Sequence, residues 1–111
     1  MALEAAQRLA DEGVDVEVVD IRSLVPFDEE TVLESVRSTG RVVITHEAVL
    51  PAGFGAEISL RIADQAFRFL DAPVKRVAAY DAPTPFAPTL ESAILPSAAK
   101  IEAAIRETLA F

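Results

Sequence analysis

Three short stretches of the sequence hold residue types that could do acid–base chemistry, and each follows a run of β-branched or apolar residues. They are Asp20-Ile21-Arg22, His46-Glu47 and Tyr80-Asp81. Open α/β sheets bind ligands beyond the carboxyl ends of their strands, so an acid, a base and a histidine could converge there. The alternative is that polar residues follow these strands simply because the ends of the sheet are exposed to solvent. We favour the alternative, because the sequence offers no set of nucleophile, base and orienting group.

A glycine pair, Gly53-Phe54-Gly55, precedes a helical pattern and could present backbone N–H groups to an anion. A dinucleotide-binding fingerprint would need a third glycine at position 58, where Ile58 stands. The pair also follows a long loop rather than a tight turn between strand and helix. Close packing against the backbone is therefore the favoured interpretation of these glycines.

Composition excludes several classes of function. The 111 residues allow one small domain, and 18 acidic against 10 basic side chains give a net charge of −8. Such a chain lacks the excess of positive charge with which proteins bind a phosphate backbone or an anionic membrane, and should attract basic partners instead. It has no cysteine and one histidine, His46, so a zinc site or other metal site is disfavoured. Because no leader-like start or apolar run of about 18 residues is present, we expect a cytoplasmic protein.

The periodicity of apolar residues predicts helices and strands in alternation. Runs rich in β-branched residues predict strands at residues 14–21, 41–45 and 74–79. Helical spacing predicts helices that end near Gly13, run from after Asp28 to Thr39-Gly40, cover residues 54–70 and begin after Ser97. The prolines in residues 80–96 predict an extended loop there. The order is typical of an α/β fold of three layers, α/β/α, with a mainly parallel sheet.

Two of these helices have predicted buried faces. The inner positions are Ile58, Ile62, Ala66 and Leu70 in the long helix, and Ile101, Ala104, Ile105 and Leu109 in the last one. On the solvent side of the long helix, Glu57 and Arg61, and likewise Asp64 and Arg68, have the spacing of ion pairs one turn apart.

Several sequence blocks carry a resemblance to a known family. They are VEVVDIRSLVPFDEETVLESVRSTGRVVITHEA, then GFGAEIS at 53–59, FLDAPVKRV at 69–77, YDAPTPFAP at 80–88 and LPSAAKI at 95–101. The chain resembles the carboxy-terminal domain, similar to that of transketolases, of the β subunit of thiamine-diphosphate-dependent 2-oxo acid dehydrogenases of the pyruvate or branched-chain type. The match covers nearly the whole chain, and the HEA block at 46–48 leans towards the branched-chain enzymes.

The resemblance implies a multienzyme complex that decarboxylates a 2-oxo acid and transfers the acyl group to lipoyl groups. It implies α and β subunits in an α2β2 assembly, with thiamine diphosphate and magnesium bound outside this chain. No catalytic or cofactor-binding residue can be carried over to these positions. The domain is therefore expected to serve subunit assembly and docking of the acyltransferase, and to be inactive alone.

The resemblance implies a docking role for two residues. In the family, a small basic subunit-binding domain of the acyltransferase is held by the carboxy-terminal carboxylate of the β subunit, assisted by an aspartate after the long helix. These positions correspond to Phe111 and Asp71. From the residues alone, Asp71, which precedes Ala72-Pro73, is an ordinary turn residue. On the same basis, Phe111 is a chain end of the kind that is often poorly ordered.

The resemblance also leaves alternatives open. The family domain opens with two strands before its first helix, whereas this sequence starts at that helix, so we expect residues 1–111 to be one domain truncated at its amino end and lacking its first strands. One alternative is a stand-alone α/β module that binds a small anion. Another is a fragment of a transketolase or deoxyxylulose-phosphate synthase, which the blocks at 80–88 and 95–101 fit less well.

Overall fold

The sheet consists of two parallel strands joined through a helix, in a computed structural model that describes residues 1–83 and 85–111. The strands are β1 (Val43–Val49) and β2 (Lys75–Ala79). The α-helices of the described residues are α1 (Ala2–Ala10), α2 (Glu29–Thr39), α3 (Phe54–Ala66), α4 (Pro88–Ile94) and α5 (Ala98–Ala110). β1 and β2 pair in the same direction, and α3 makes the crossover connection that parallel strands require, so the predicted α/β fold with a parallel sheet is confirmed.

Helices pack against both faces of this sheet. Ile44 of β1 packs into the cluster formed by α2 and α3, whereas Val77 of β2 packs into the cluster formed by α1 and α5. Ile44 pairs in register with Arg76, the residue before Val77, and successive side chains of a strand point to opposite faces. The two clusters therefore lie on opposite sides of the sheet, which gives the three layers that the sequence predicts.

The predicted helix ends are confirmed by their capping contacts. The Asp28 carboxylate accepts hydrogen bonds from the Thr31 backbone N–H at 3.2 Å and from the Thr31 hydroxyl at 2.7 Å. These bonds favour the ionised form and lower the pKa of Asp28. Gly40 ends α2 at φ +71°, a left-handed conformation that favours glycine, and Ser97 accepts from the Lys100 N–H at 3.2 Å to begin α5.

The predicted strand at residues 14–21 is wrong. Val19 and Ile21 pack partly buried against the α2–α3 cluster, but within the described residues this segment pairs with no neighbouring strand. A pattern of alternating burial specifies an extended conformation, whereas a strand also requires a hydrogen-bonded partner. The sheet consequently has two strands in the described ranges instead of the three that the sequence predicts.

Part of the predicted loop at residues 80–96 is helical. Pro88 is the first residue of α4, a position where its missing N–H costs nothing and its fixed φ favours a helix. The sequence predicts that the prolines of residues 80–96 form a loop, and this prediction is wrong for Pro88. Thr84, inside the same predicted loop, lies outside the described residues.

The long helix is shorter than predicted. It ends at Ala66 and tightens into a 3-10 turn at Phe67–Phe69, so Leu70 is half-buried in an extended conformation. Glu57 and Arg61 form the predicted pair at 2.9 Å, whereas the Arg68 guanidinium lies over the Phe69 ring, 5.1 Å from its centroid. The change of helix type at residue 67 removes the spacing on which the predicted Asp64–Arg68 pair depended. Across residues 1–83 and 85–111, no helix has the length and apolar character needed to cross a bilayer.

Candidate docking site

The three polar stretches that could have formed an acid–base site make separate contacts. Asp20 pairs with Arg22 at 3.4 Å, and both side chains are exposed. Tyr80 directly follows β2, and the Lys100 ammonium lies 5.1 Å from its ring centroid. In the described part of the chain, no hydrogen bond or ion pair joins these stretches to His46-Glu47. The geometry therefore brings together no catalytic set from these residues.

His46 lies inside β1 at an irregularity of the sheet. Thr45 pairs with Val77 and Val49 pairs with Ala79, so residues 46–48 stand opposite the single residue Ala78. A bulge of this kind turns a side chain away from the regular pleat. The His46 Nδ1 atom lies 3.0 Å from the Ala48 carbonyl oxygen, and its buried Nε2 atom has no partner among the described residues. Because a carbonyl oxygen can only accept, the imidazole donates through Nδ1 in this contact.

The glycine pair packs against this imidazole ring. A Cβ atom on Gly55 would stand 2.5 Å from His46 Nε2, and one on Gly53 would stand 2.7 Å from His46 Cε1. Such separations are far inside van der Waals contact, so the ring fits only because both residues lack a side chain. The predicted close packing is confirmed.

Asp71 lies in the turn between the 3-10 turn and β2. Its backbone N–H donates to the Gly40 carbonyl at 2.7 Å, which joins this turn to the end of α2. Its carboxylate oxygen Oδ2 lies 3.5 Å from Arg41 Nη1, and the side chain remains 62% exposed. The turn role that the sequence indicates for Asp71 is therefore present, and its side chain remains largely exposed.

The last turn of α5 is fixed to the starts of both strands. Arg41, just before β1, donates from Nε to the Thr108 carbonyl oxygen at 2.9 Å. Lys75, the first residue of β2, pairs with Glu107 at 2.8 Å. These cationic side chains lie at the carboxyl end of a helix, where they stabilise the unpaired carbonyl groups and the negative end of the helix dipole.

The inner face of this helix differs from the prediction at its end. Ile101 and Ala104 are buried as predicted, but Leu109 is 45% exposed and Thr108, at 2% exposure, takes the inner position. Phe111 is 78% exposed, so its ring does not anchor the chain end by burial. The contacts of Arg41 and Lys75 fix the last turn instead.

Arg41 is the residue that the sequence analysis missed. Its two partners, Asp71 and Thr108, are 30 and 67 positions further along the chain. No spacing between nearby residues predicts contacts over such long sequence separations. The one available signal was the pair Gly40-Arg41 immediately before an apolar strand, since it places a cation near the amino-terminal ends of the strands. In chemical terms, this end of the domain offers an exposed carboxylate and an ordered helix end, both suited to accept hydrogen bonds from arginine.

Comparison with known proteins identifies the family of this domain. Residues 1–101 match the family described as Transketolase, C-terminal domain. The chain belongs to the transketolase C-terminal domain family. The resemblance to the carboxy-terminal domain of 2-oxo acid dehydrogenase β subunits is confirmed, because relatives carrying such names align over nearly all of this transketolase C-terminal domain.

Three relatives illustrate the match. The β subunit of acetoin:2,6-dichlorophenolindophenol oxidoreductase from Cupriavidus necator is 49% identical over 97% of the chain and 32% of the relative. The 2-oxoisovalerate dehydrogenase β subunit from Pseudomonas aeruginosa is 45% identical over 94% of the chain and 29% of the relative. The pyruvate dehydrogenase E1 β subunit from Rhizobium meliloti is 42% identical over 95% of the chain and 23% of the relative. This transketolase C-terminal domain thus spans a third or less of each.

Within residues 1–83 and 85–111, no group of three or more histidine, aspartate or glutamate side chains could hold a metal ion. Among those residues, this transketolase C-terminal domain therefore offers no cage made of protein ligands alone for a magnesium ion.

Proposed function

We propose that the chain serves as a docking and assembly domain of a thiamine-diphosphate-dependent dehydrogenase β subunit. The observation that carries the proposal is that Arg41 contacts both Asp71 and the last turn of α5, which Phe111 directly follows. Arginine-rich partners bind pairs of carboxylates with strong, oriented hydrogen bonds.

For the parent enzyme we propose an α2β2 assembly in the cytoplasm that oxidatively decarboxylates a 2-oxo acid and passes the acyl group to lipoyl groups. Thiamine diphosphate with magnesium would lie outside residues 1–111, between the α subunit and the amino-terminal part of β. Pyruvate and branched-chain 2-oxo acids are supported by two of the relatives, and the name of the C. necator relative adds acetoin. These substrates share a carbonyl group next to a carboxylate or a hydroxyl-bearing carbon.

The proposed partner of this domain is the small basic subunit-binding domain of the acyltransferase. The net charge of −8 would speed the encounter with a basic domain and make the association rate fall with salt. At close range, the Asp71 carboxylate and the terminal carboxylate of Phe111 would accept hydrogen bonds from its arginines. The net charge thus increases the association rate, and the two carboxylates provide the specificity for the partner.

Titration calorimetry on an intact α2β2 enzyme tests the docking role. Deleting Phe111, extending the chain beyond it, or changing Asp71→Ala should each weaken binding of the isolated subunit-binding domain, because the first two changes displace the terminal carboxylate and the third removes a carboxylate, so that a cation of the partner would be left unpaired. Truncating one member of such a charge pair costs about 2–5 kcal/mol.

The matched control is Asp81→Ala, which removes another exposed aspartate just after β2, and it should leave the affinity unchanged. Unchanged affinity in both the Phe111 deletion and Asp71→Ala would refute the docking role.

A further inference from the structure

Residues 85–95, which include α4 and are called the α4 segment below, contribute little to the buried interior of the domain. None of them is buried, the Phe86 side chain is fully exposed, and Leu90 is 58% exposed. By contrast, α2, α3 and α5 each bury three or more residues. Because burial of apolar side chains is the main driving force of folding, hydrophobic packing does not account for the position of this segment.

Polar contacts at the carboxyl end of α4 hold the segment instead. The Lys100 ammonium nitrogen Nζ donates to the Ala93 carbonyl at 2.9 Å and to the Leu95 carbonyl at 2.7 Å, and it lies 5.1 Å from the centroid of the Tyr80 ring. The Tyr80 backbone N–H donates to the Ile94 carbonyl at 3.2 Å. The last carbonyl groups of a helix have no donor within that helix, so these contacts supply the missing partners.

Lys100 is itself fixed to the start of α5. Its backbone N–H donates to the Ser97 side chain at 3.2 Å, and the next residue, Ile101, is buried. A cation in the first turn of a helix is unfavourable for that helix, whereas a cation at the carboxyl end of a helix is favourable. The charge of Lys100 therefore stabilises α4 rather than the helix that carries it.

We propose that the α4 segment is a strap that opens and closes as one unit on an otherwise intact domain, and that Lys100 is the contact that holds it closed. Opening exposes little apolar surface, so the ammonium contacts set how often the segment is open. The segment follows β2 at the carboxyl end of that strand, the end at which α/β sheets bind ligands. Its opening therefore controls access to that end of the sheet. This inference does not depend on the proposed docking function.

The experiment follows amide hydrogen exchange by mass spectrometry in the full-length protein, in the assembly in which it purifies. Lys100→Met removes the charge and keeps an apolar stem, so exchange in residues 88–95 should become at least about 10-fold faster, as expected for the loss of hydrogen bonds from a charged group. Exchange in α3 and β2 should not change. Lys100→Arg, which keeps a cation at this position, should retain part of the protection of α4.

The matched control is Lys75→Met. It removes the other lysine of the chain, which pairs with Glu107 at 2.8 Å, and it should leave exchange in α4 unchanged. Unchanged exchange in α4 of Lys100→Met would overturn the role of Lys100. An equal acceleration in α4 and α3 would show that the segment does not open separately, and would overturn the proposal as well.

Digestion of the unmodified protein with chymotrypsin tests the opening without any variant, and it decides the question if Lys100→Met does not fold. Within residues 1–111, the first cut should fall at Phe86 or Leu90 and leave the remainder of these residues intact, because proteolysis follows the population of the locally open state. A first cut elsewhere in residues 1–111, or simultaneous cleavage throughout them, would contradict a strap that opens by itself.

Discussion

The two helical layers of the domain are stabilised by different kinds of contact. The α2–α3 layer buries mainly large aliphatic residues, namely Val32, Leu33, Val36, Ile58, Ile62 and Ala66. The α1–α5 layer buries fewer large aliphatic residues, because its cluster consists of Ala5, Ala98 and Ile101, and the fully buried Leu9 lies in the same helix as Ala5. Its helices are also joined by ion pairs, because Arg106 of α5 binds Glu12, just after α1, at 2.7 Å, and Arg8 of α1 lies 3.9 Å from Glu102 of α5.

This difference indicates where the stability of the domain lies. Buried aliphatic side chains stabilise a fold by about 1.5–3 kcal/mol each, whereas exposed ion pairs contribute about 0–1 kcal/mol and are screened by salt. We infer that the α2–α3 layer carries most of the stability and that the α1–α5 layer opens first. The proposed docking end belongs to α5, so its order depends on local contacts such as those of Arg41.

The largest expected effect is in the α2–α3 layer. Ile62→Ala, at a position 1% exposed, should lower the free energy of unfolding by about 2–5 kcal/mol through lost burial and a cavity. Ile101→Ala in the other layer should fall at the low end, about 2 kcal/mol, since its surroundings are small and more easily rearranged. Chemical denaturation measures both, with Leu60→Ala, at a position 65% exposed, as the control in α3. A greater loss for Ile101→Ala than for Ile62→Ala would reverse the comparison.

A smaller effect is expected at the contact between β1 and α3. Gly55→Ala should destabilise the domain by about 1–3 kcal/mol, because the new methyl group would overlap the His46 ring. Adding His46→Ala to Gly55→Ala should recover part of that loss by making room for the methyl group. If the double variant is as unstable as the sum of the two single variants, the imidazole is not the obstacle.

The smallest effect is expected for the ion pairs of the α1–α5 layer. The hydrogen bond from Arg106 lowers the pKa of Glu12, so the contact stabilises the fold above the ordinary pKa of glutamate and is lost as the pH falls through the lowered one. Arg106→Gln should therefore speed amide exchange in α1 at neutral pH and match the unmodified protein well below about pH 4. Arg37→Gln, which removes an exposed pair on α2, should leave α1 unaffected. A difference for Arg106→Gln that persists unchanged at low pH would contradict this assignment.

The local features of the fold could be predicted from the sequence, because their causes are local. Asp28, Gly40 and Ser97 mark helix ends through contacts within a few residues of the chain. The segment at residues 14–21 was wrongly predicted because strand formation depends on a neighbour that no local pattern supplies. At the end of α5, the greater hydrophobicity of Leu109 suggested the inner position, yet helical spacing from Ile101 and Ala104 brings Thr108 there.

The candidate site was predictable only in part. The resemblance supplied Asp71 and Phe111, and their docking role remains a prediction. Arg41 was beyond prediction, since its partners become neighbours only after the strands, α3 and α5 have packed. The glycine pair shows the opposite case, because the absence of side chains at residues 53 and 55 already indicated close packing, and the His46 ring provides it.

The central claim is that this domain binds a partner and does not perform the chemistry of the parent enzyme. The most direct measurement compares two rates in an α2β2 assembly whose β subunit lacks Phe111. One is decarboxylation of the 2-oxo acid followed with an artificial electron acceptor, and the other is the overall reaction through the acyltransferase at limiting concentration. We predict an unchanged first rate and a second rate at least about 10-fold lower that excess acyltransferase restores. An equal loss of both rates, or no loss of either, would contradict the account.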